Sequence, residues 1–207
     1  MGWFRIERVT WVERALWTAF VVASVAPVAL QPGDEEVARA YVAAMNRGDV
    51  DAALDLTTTD IVLRPPLGGY YYRRESVRQV LEYRAALNER WRVLAWDYNG
   101  QEIYADMEVT NDAWTLVNLR PTISVVLVVR NGRLLAETTR SAPDSMRRAL
   151  EPFLVWASAQ RPRALDLVWQ AGRPVWRADS AKWLVRLLRE WRAAREAVDG
   201  ASAREQA

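Results

Sequence analysis

The stretch "EEVARAYVAAMNRGDVDAALDLTTTDIVLRPP" (35–66) decides the fold. Val37, Ala40, Tyr41, Ala44 and Met45 fall at i, i+3, i+4, i+7 and i+8, a single apolar stripe at helical period. Asp34 is placed to cap that helix, and Glu35 and Glu36 complement its amino-terminal dipole. Asn46, Arg47 and Gly48 read as its end, and Asp49 as the cap of a second, short helix over 49–56 that leaves at an angle. Thr57, Thr58 and Thr59 then lead through Asp60 into a strand at 61–63, which Pro65-Pro66 stops. So sharp a corner after the first helix folds a helical pair back toward whatever that strand joins.

Downstream, Ser76 and Gln79 have capping-box spacing, and Val77, Val80, Leu81, Arg84 and Leu87 continue a third helix to about Asn88. From Trp91 the period becomes two. Trp91, Val93 and Ala95 alternate, Asn99-Gly100 supplies a tight turn, and Ile103, Ala105, Met107 and Val109 alternate again. Residues 123–129 form an almost continuous apolar run, expected to be buried on both faces. Asn131-Gly132 turns that run into a partner strand at 134–139. Helices first and an antiparallel sheet second give an α+β class. Beyond Ala142 the pattern returns to helix, over 146–159 and 180–197, around a connector holding Trp169 and Trp176. In the last helix Trp183, Leu184, Leu187, Leu188 and Trp191 make a stripe flanked by Lys182, Arg186, Arg189 and Arg192. Residues from Asp199 onward are expected to fray.

Composition excludes several chemistries. The 207 residues contain neither cysteine nor histidine. There is thus no thiol nucleophile, Cys-ligated metal, Ser-His-Asp triad or imidazole base, and any catalysis falls to carboxylates, Tyr, Arg or the single Lys182. The net charge of +2 is unevenly spread. Residues 161–195 carry nine basic side chains against Asp166, Asp179 and Glu190, while residues 93–119 carry five acids and no base. A basic stretch without a recognition motif does not indicate nucleic-acid binding. It is a solvated helix face or a surface for an anionic membrane.

Residues 1–30 stand apart as a secretory signal or signal-anchor. Arg5, Arg8 and Arg14 precede the uncharged run 15–30, which as a helix would span about 24 Å, short of a ~30 Å bilayer core. Small residues at 22–24 suit cleavage, whereas Trp3, Trp11 and Trp17 suit retention at an interface. Export or membrane association follows from either; a helix packed on the domain would leave the protein cytoplasmic. The chain thus divides into the 1–30 leader, a domain at 34–141 and a helical extension at 142–207.

The order of these elements, from the helix-Gly-Asp-helix corner to "VVLVVRNGRLLAE" (125–137), resembles a nuclear transport factor 2-like domain of the SnoaL-like kind, over about 34–141. The resemblance implies a cone: three helices on a strongly curved antiparallel sheet around a cavity, serving a small-molecule binder or an enzyme. Its enzymes include ketosteroid isomerases, polyketide cyclases, scytalone dehydratases and limonene-type epoxide hydrolases. In the isomerase pattern Tyr41 falls on the tyrosine that donates to an oxyanion. The proton-moving aspartate falls on Pro65, beside Arg64, so the isomerase base is missing. The extension has no counterpart in the resemblance.

Candidate site residues follow. Tyr41 is buried either as core or as a pocket-lining donor. Asp106 and Glu108 share one side of a strand. Facing the cavity they would serve as acid and base, and facing water they would only solubilise, as the alternation with Ile103 and Met107 favours. Arg120 would pair with such an acid, completing an Asp-Arg-Asp set, or anchor an anion, or sit at the surface beside Pro121. Trp96, Trp114 and Asn118 line the cone or fill its core. The expectation is a binder of a small apolar molecule without chemistry, cofactor or metal. The alternatives are a cyclase, dehydratase or hydrolase using carboxylates, and an interaction protein docking through its C-terminal helices. Homodimerisation and membrane contact through 1–30 or 180–195 are also expected of this pattern.

Overall fold

In the computed structural model, residues 33–99 and 102–205 are described. The 1–30 leader and the Gly100 half of the expected turn lie outside them. Helix α1 (Asp34–Arg47) ends at Gly48, whose φ of 71° is the left-handed conformation a β-carbon would strain. The Asp49 side chain then accepts from Ala52 N at 3.1 Å and starts α2 (Val50–Asp55). The corner also has a tertiary purpose. Asn46 Nδ2 donates to the Trp91 carbonyl (2.8 Å) and Asn46 Oδ1 accepts from Trp91 N–H (2.6 Å), so one side chain mimics a strand partner.

The sheet holds six strands in the order β2-β1-β6-β5-β4-β3: β1 (Thr57–Arg64), β2 (Tyr71–Tyr72), β3 (Arg90–Tyr98), β4 (Ile103–Thr110), β5 (Thr122–Arg130) and β6 (Arg133–Ser141). It is α+β as expected, but not wholly antiparallel, because β1 runs parallel to β6. Helix α3 (Arg73–Ala86) crosses from β2 to β3. It starts three residues before Ser76, with no side-chain cap, so the expected capping box does not form. The β5–β6 turn at Asn131-Gly132 has φ of 52° and 67°, the positive pair that a tight hairpin requires. In β4, Ile103, Ala105, Met107 and Val109 point inward as their spacing predicts. In β3 the alternation breaks. Val93 pairs with the inward Met107 yet is exposed, and the register shift after it puts Ala95 opposite the outward Asp106 and Trp96 opposite the inward Ala105.

A short helix absent from the sequence reading, α4 (Asp112–Leu116), follows β4; Asn111 caps it by accepting from Trp114 N at 2.8 Å. The extension comprises α5 (Asp144–Gln160), α6 (Pro162–Val168), the two-residue strands β7 (Trp169–Gln170) and β8 (Arg173–Pro174), and α7 (Ala178–Glu205). Helix α7 continues past the end expected near Ala197. It lies on α3 and α4 and buries Leu184, Leu187, Leu188 and Trp191. Trp183, expected in that stripe, faces outward at 38% exposure. The extension therefore spends its apolar stripe on its own domain, covering the end of the cone formed by α3 and α4.

Candidate functional site

Two arrangements meet beneath the extension: a buried charged network and a small cavity. The network grows from three elements. Tyr41 lies on the inward stripe of α1, Arg84 on the inward stripe of α3, and Glu137 on the inner side of β6. Glu137 is wholly buried and Arg84 is 1% exposed. Tyr41 Oη donates to Glu137 Oε2 at 2.6 Å, and Arg84 Nη1 donates to the same oxygen at 3.1 Å. Arg84 Nη2 stands 2.8 Å from Glu137 Oε1 as an ion pair rather than an aligned hydrogen bond.

The turn after α3 adds a second acid. Asn88 takes the left-handed conformation (φ 55°), and Glu89 N–H returns to the Arg84 carbonyl at 3.0 Å. This folds the Glu89 carboxylate back to 3.5 Å from Arg84 Nε. Glu89 also accepts from the Trp91 indole (2.9 Å) and from Asn111 Nδ2 (3.0 Å). The Arg84 guanidinium lies 4.9 Å from the Trp91 ring centre, completing the enclosure by a cation–π contact.

The electrostatics are those of a locked assembly. Burial pushes the Tyr41 hydroxyl well above its ordinary range, and the Glu137 charge adds to that rise. Burial alone would lower the Arg84 pKa, but Glu137 and Glu89 together more than reverse it, so the guanidinium stays charged. Every member is already bonded to another member. Two carboxylates face one guanidinium, which leaves one negative charge in excess within the core.

Beside this network lies a cavity of about 40 Å³. Arg84, Glu89 and Asn111 form its polar side, and Tyr83, Leu87 and Trp114 come from the domain. The extension supplies Met146, Leu150, Trp169, Trp176 and Leu184, and the β1–β2 loop supplies Pro66 and Leu67. Trp176 meets Tyr83 edge-on, ring centres 4.8 Å apart. One water needs roughly 10–15 Å³ of such space, so the cavity has room for a few waters or a small functional group.

The structure disperses the residues expected to form a site. Tyr41 enters the network rather than lining the cavity, and Trp114 lines it from α4 rather than from a strand. Trp96 lies beneath Arg39 of α1, whose guanidinium is 4.7 Å from its ring. Asp106 is exposed on the outer face, where it accepts from Ser124 Oγ at 2.6 Å. Glu108 is tied to Arg92 at 3.1 Å. Arg120 and Asn118 are exposed, Asn118 bordering a surface groove against the far half of α7. Asp106 and Arg120 are thus not brought together with Tyr41, and the imagined Asp-Arg-Asp set does not assemble. Pro65 is a buried proline adjoining the cavity rim. Among the described residues, no three acids or other ligating side chains cluster to hold a metal.

Sequence reasoning missed Arg84, Glu89 and Glu137 as site residues. The signal for one was present: Arg84 occupies an apolar-stripe position, where an unpaired charge would be prohibitively costly.

The family model of the SnoaL-like domain matches residues 38–137. The chain carries a SnoaL-like domain. That match contains Tyr41, Arg84 and Glu89 and ends on Glu137, so the whole charged network lies inside the SnoaL-like domain while much of the cavity wall lies beyond it. Among solved structures, an NTF2-like protein of unknown function from Cytophaga hutchinsonii is 10% identical, with 57% of this chain and 97% of that one covered and a TM-score of 0.48. An uncharacterized cystatin fold protein from Novosphingobium aromaticivorans is 17% identical, with 53% and 98% covered and a TM-score of 0.44. The epoxide hydrolase/cyclase-like enzyme SalBIII, of pyran ring formation in polyether salinomycin, is 16% identical, with 54% and 92% covered and a TM-score of 0.48. No curated protein sequence matches the chain.

Proposed function

We propose that this protein is a non-catalytic binding module that holds a small, largely apolar molecule between its SnoaL-like domain and its helical extension. The observation that carries this reading is the cavity wall. Aromatic and aliphatic side chains from α3, α4, α5 and the β7–β8 segment enclose it, and the charged groups on its one polar side are already bonded to each other. A pocket of that composition favours apolar burial with a few polar contacts for orientation. General acid–base work needs a group free to give or take a proton near the operating pH. Tyr41 donates to Glu137, which Arg84 also holds, and Glu89 is held by Arg84, Trp91 and Asn111. This arrangement weighs against cyclase, dehydratase or hydrolase chemistry here.

The basic start and uncharged run of residues 1–30 support placing the module outside the cytoplasm or on a membrane. Among the described residues, no helix is long and apolar enough to cross one. Native mass spectrometry of the full chain, purified without detergent, tests the binding reading. The expected result is an additional mass that leaves on denaturation and is lost in Ala113→Leu, which fills the cavity. A protein free of bound mass that also takes up no small neutral molecule would overturn it.

A further inference from the structure

The cavity is not uniformly apolar. Tyr83 is 4% exposed and lines it, and its hydroxyl bonds to no protein group among the described residues. Trp176, 8% exposed, stands edge-on to Tyr83 in the same wall, and its indole Nε1 is buried without a partner. Buried Tyr and Trp donors ordinarily find an acceptor, and leaving one unpaired is costly. One orphaned indole donor and a phenol with no protein partner, on touching rings in one small cavity, suit an acceptor from outside the protein.

We infer that the cavity takes a neutral ligand bearing a carbonyl or ether oxygen, held by the Tyr83 hydroxyl and the Trp176 indole N–H, with its hydrocarbon part against Trp114, Leu87 and Leu150. Neutrality follows from the adjoining network, whose excess negative charge repels a carboxylate or phosphate. The SnoaL-like domain supplies only one of the two donors. Trp176 comes from the extension, so acceptor recognition is a property of the assembled chain. The volume of about 40 Å³ fits the oxygen-bearing end of such a molecule. A cavity holding benzene measures roughly 150 Å³, so a larger body requires Trp176 and the β7–β8 hairpin to move outward. Among the described residues that hairpin pairs only with itself.

This inference rests on the binding reading, and the experiment separates the two. Cyclopentanone and methylenecyclopentane share a shape but only the ketone carries an acceptor. Both are titrated into the full chain, with the Trp176 indole N–H followed by ¹⁵N-edited NMR. The ketone is expected to bind about tenfold tighter and to move the indole proton downfield. Tyr83→Phe and Trp176→Phe should each erode that preference while leaving hydrocarbon binding in place. Cyclopentanecarboxylate should bind least. Equal binding of ketone and hydrocarbon, or preference for the carboxylate, would overturn the inference and leave the binding reading standing. Failure of all three to bind would overturn both.

Discussion

Arg84 closes on Glu137 in a part of the core that water does not reach, with Nη1 3.1 Å from one carboxylate oxygen and Nη2 2.8 Å from the other. Arg84 also carries Glu89, so the two acids depend on one cation. Arg84→Met should therefore be the most damaging single change in the network, at about 3–5 kcal/mol, since it strands two carboxylates. Glu137→Gln should cost less, because Arg84 keeps Glu89. The double variant Arg84→Met/Glu137→Gln should be more stable than the sum of its singles predicts. Urea unfolding of all three checks the order.

Alkaline pH should weaken the fold through its buried phenols. Tyr41 and Tyr83 are both raised above the ordinary value of 10.0, Tyr41 by burial and the Glu137 charge, Tyr83 by burial and the Glu89 charge. A group whose folded pKa is raised contributes stability that is whole below its unfolded pKa and is lost as pH climbs toward the folded one. Stability should accordingly fall from about pH 10 upward. Tyr41→Phe and Tyr83→Phe should each flatten that fall in thermal melts. Tyr41→Phe should also cost about 1.5–3 kcal/mol at neutral pH, the worth of a hydrogen bond to a charged group, without altering ligand uptake.

Asn46 ties the end of α1 to β3 through two hydrogen bonds to Trp91. Asn46→Ala should cost roughly 2–3 kcal/mol, because a half-buried N–H and C=O lose their partner together. Hydrogen exchange at the Trp91 amide should rise more than at the centre of β5.

Substitutions on the outer face should be nearly silent. Asp106→Asn and Arg120→Ala should each change stability by less than about 0.5 kcal/mol and leave the bound mass unchanged. A large loss of binding in either would contradict the placement of the ligand beneath the extension.

The fold was legible where local chemistry and tertiary structure agree. Gly48 and Asp49 announce the corner because left-handed backbone and helix capping each demand a particular residue type, and Asn131-Gly132 announces its hairpin likewise. The inward set of β4 follows from strict alternation. What escaped were features set by distant partners. The β1–β6 pairing is parallel because of where β1 enters the sheet, and no residue in either strand encodes direction. The slip near Leu94 reverses which later residues of β3 face in, so Ala95 misled while Trp96 did not. The candidate set included the acid cluster around Asp106, whose alternation already favoured the solvated face it occupies, and overlooked Glu137, a lone acid among apolar neighbours. Isolation of a charge within an apolar pattern is the better guide, because only a folded partner more than fifty residues away makes it tolerable.

The charged network ends with the SnoaL-like domain, whereas Trp169 and Trp176 over the cavity belong to the extension. The charged core is thereby confined to one part of the polypeptide, while the proposed recognition is shared between both. Chimaeras exchanging residues 142–207 between such proteins would redirect ligand choice on an unchanged chassis, and random mutation could explore new ligands there without repeatedly endangering the charged core.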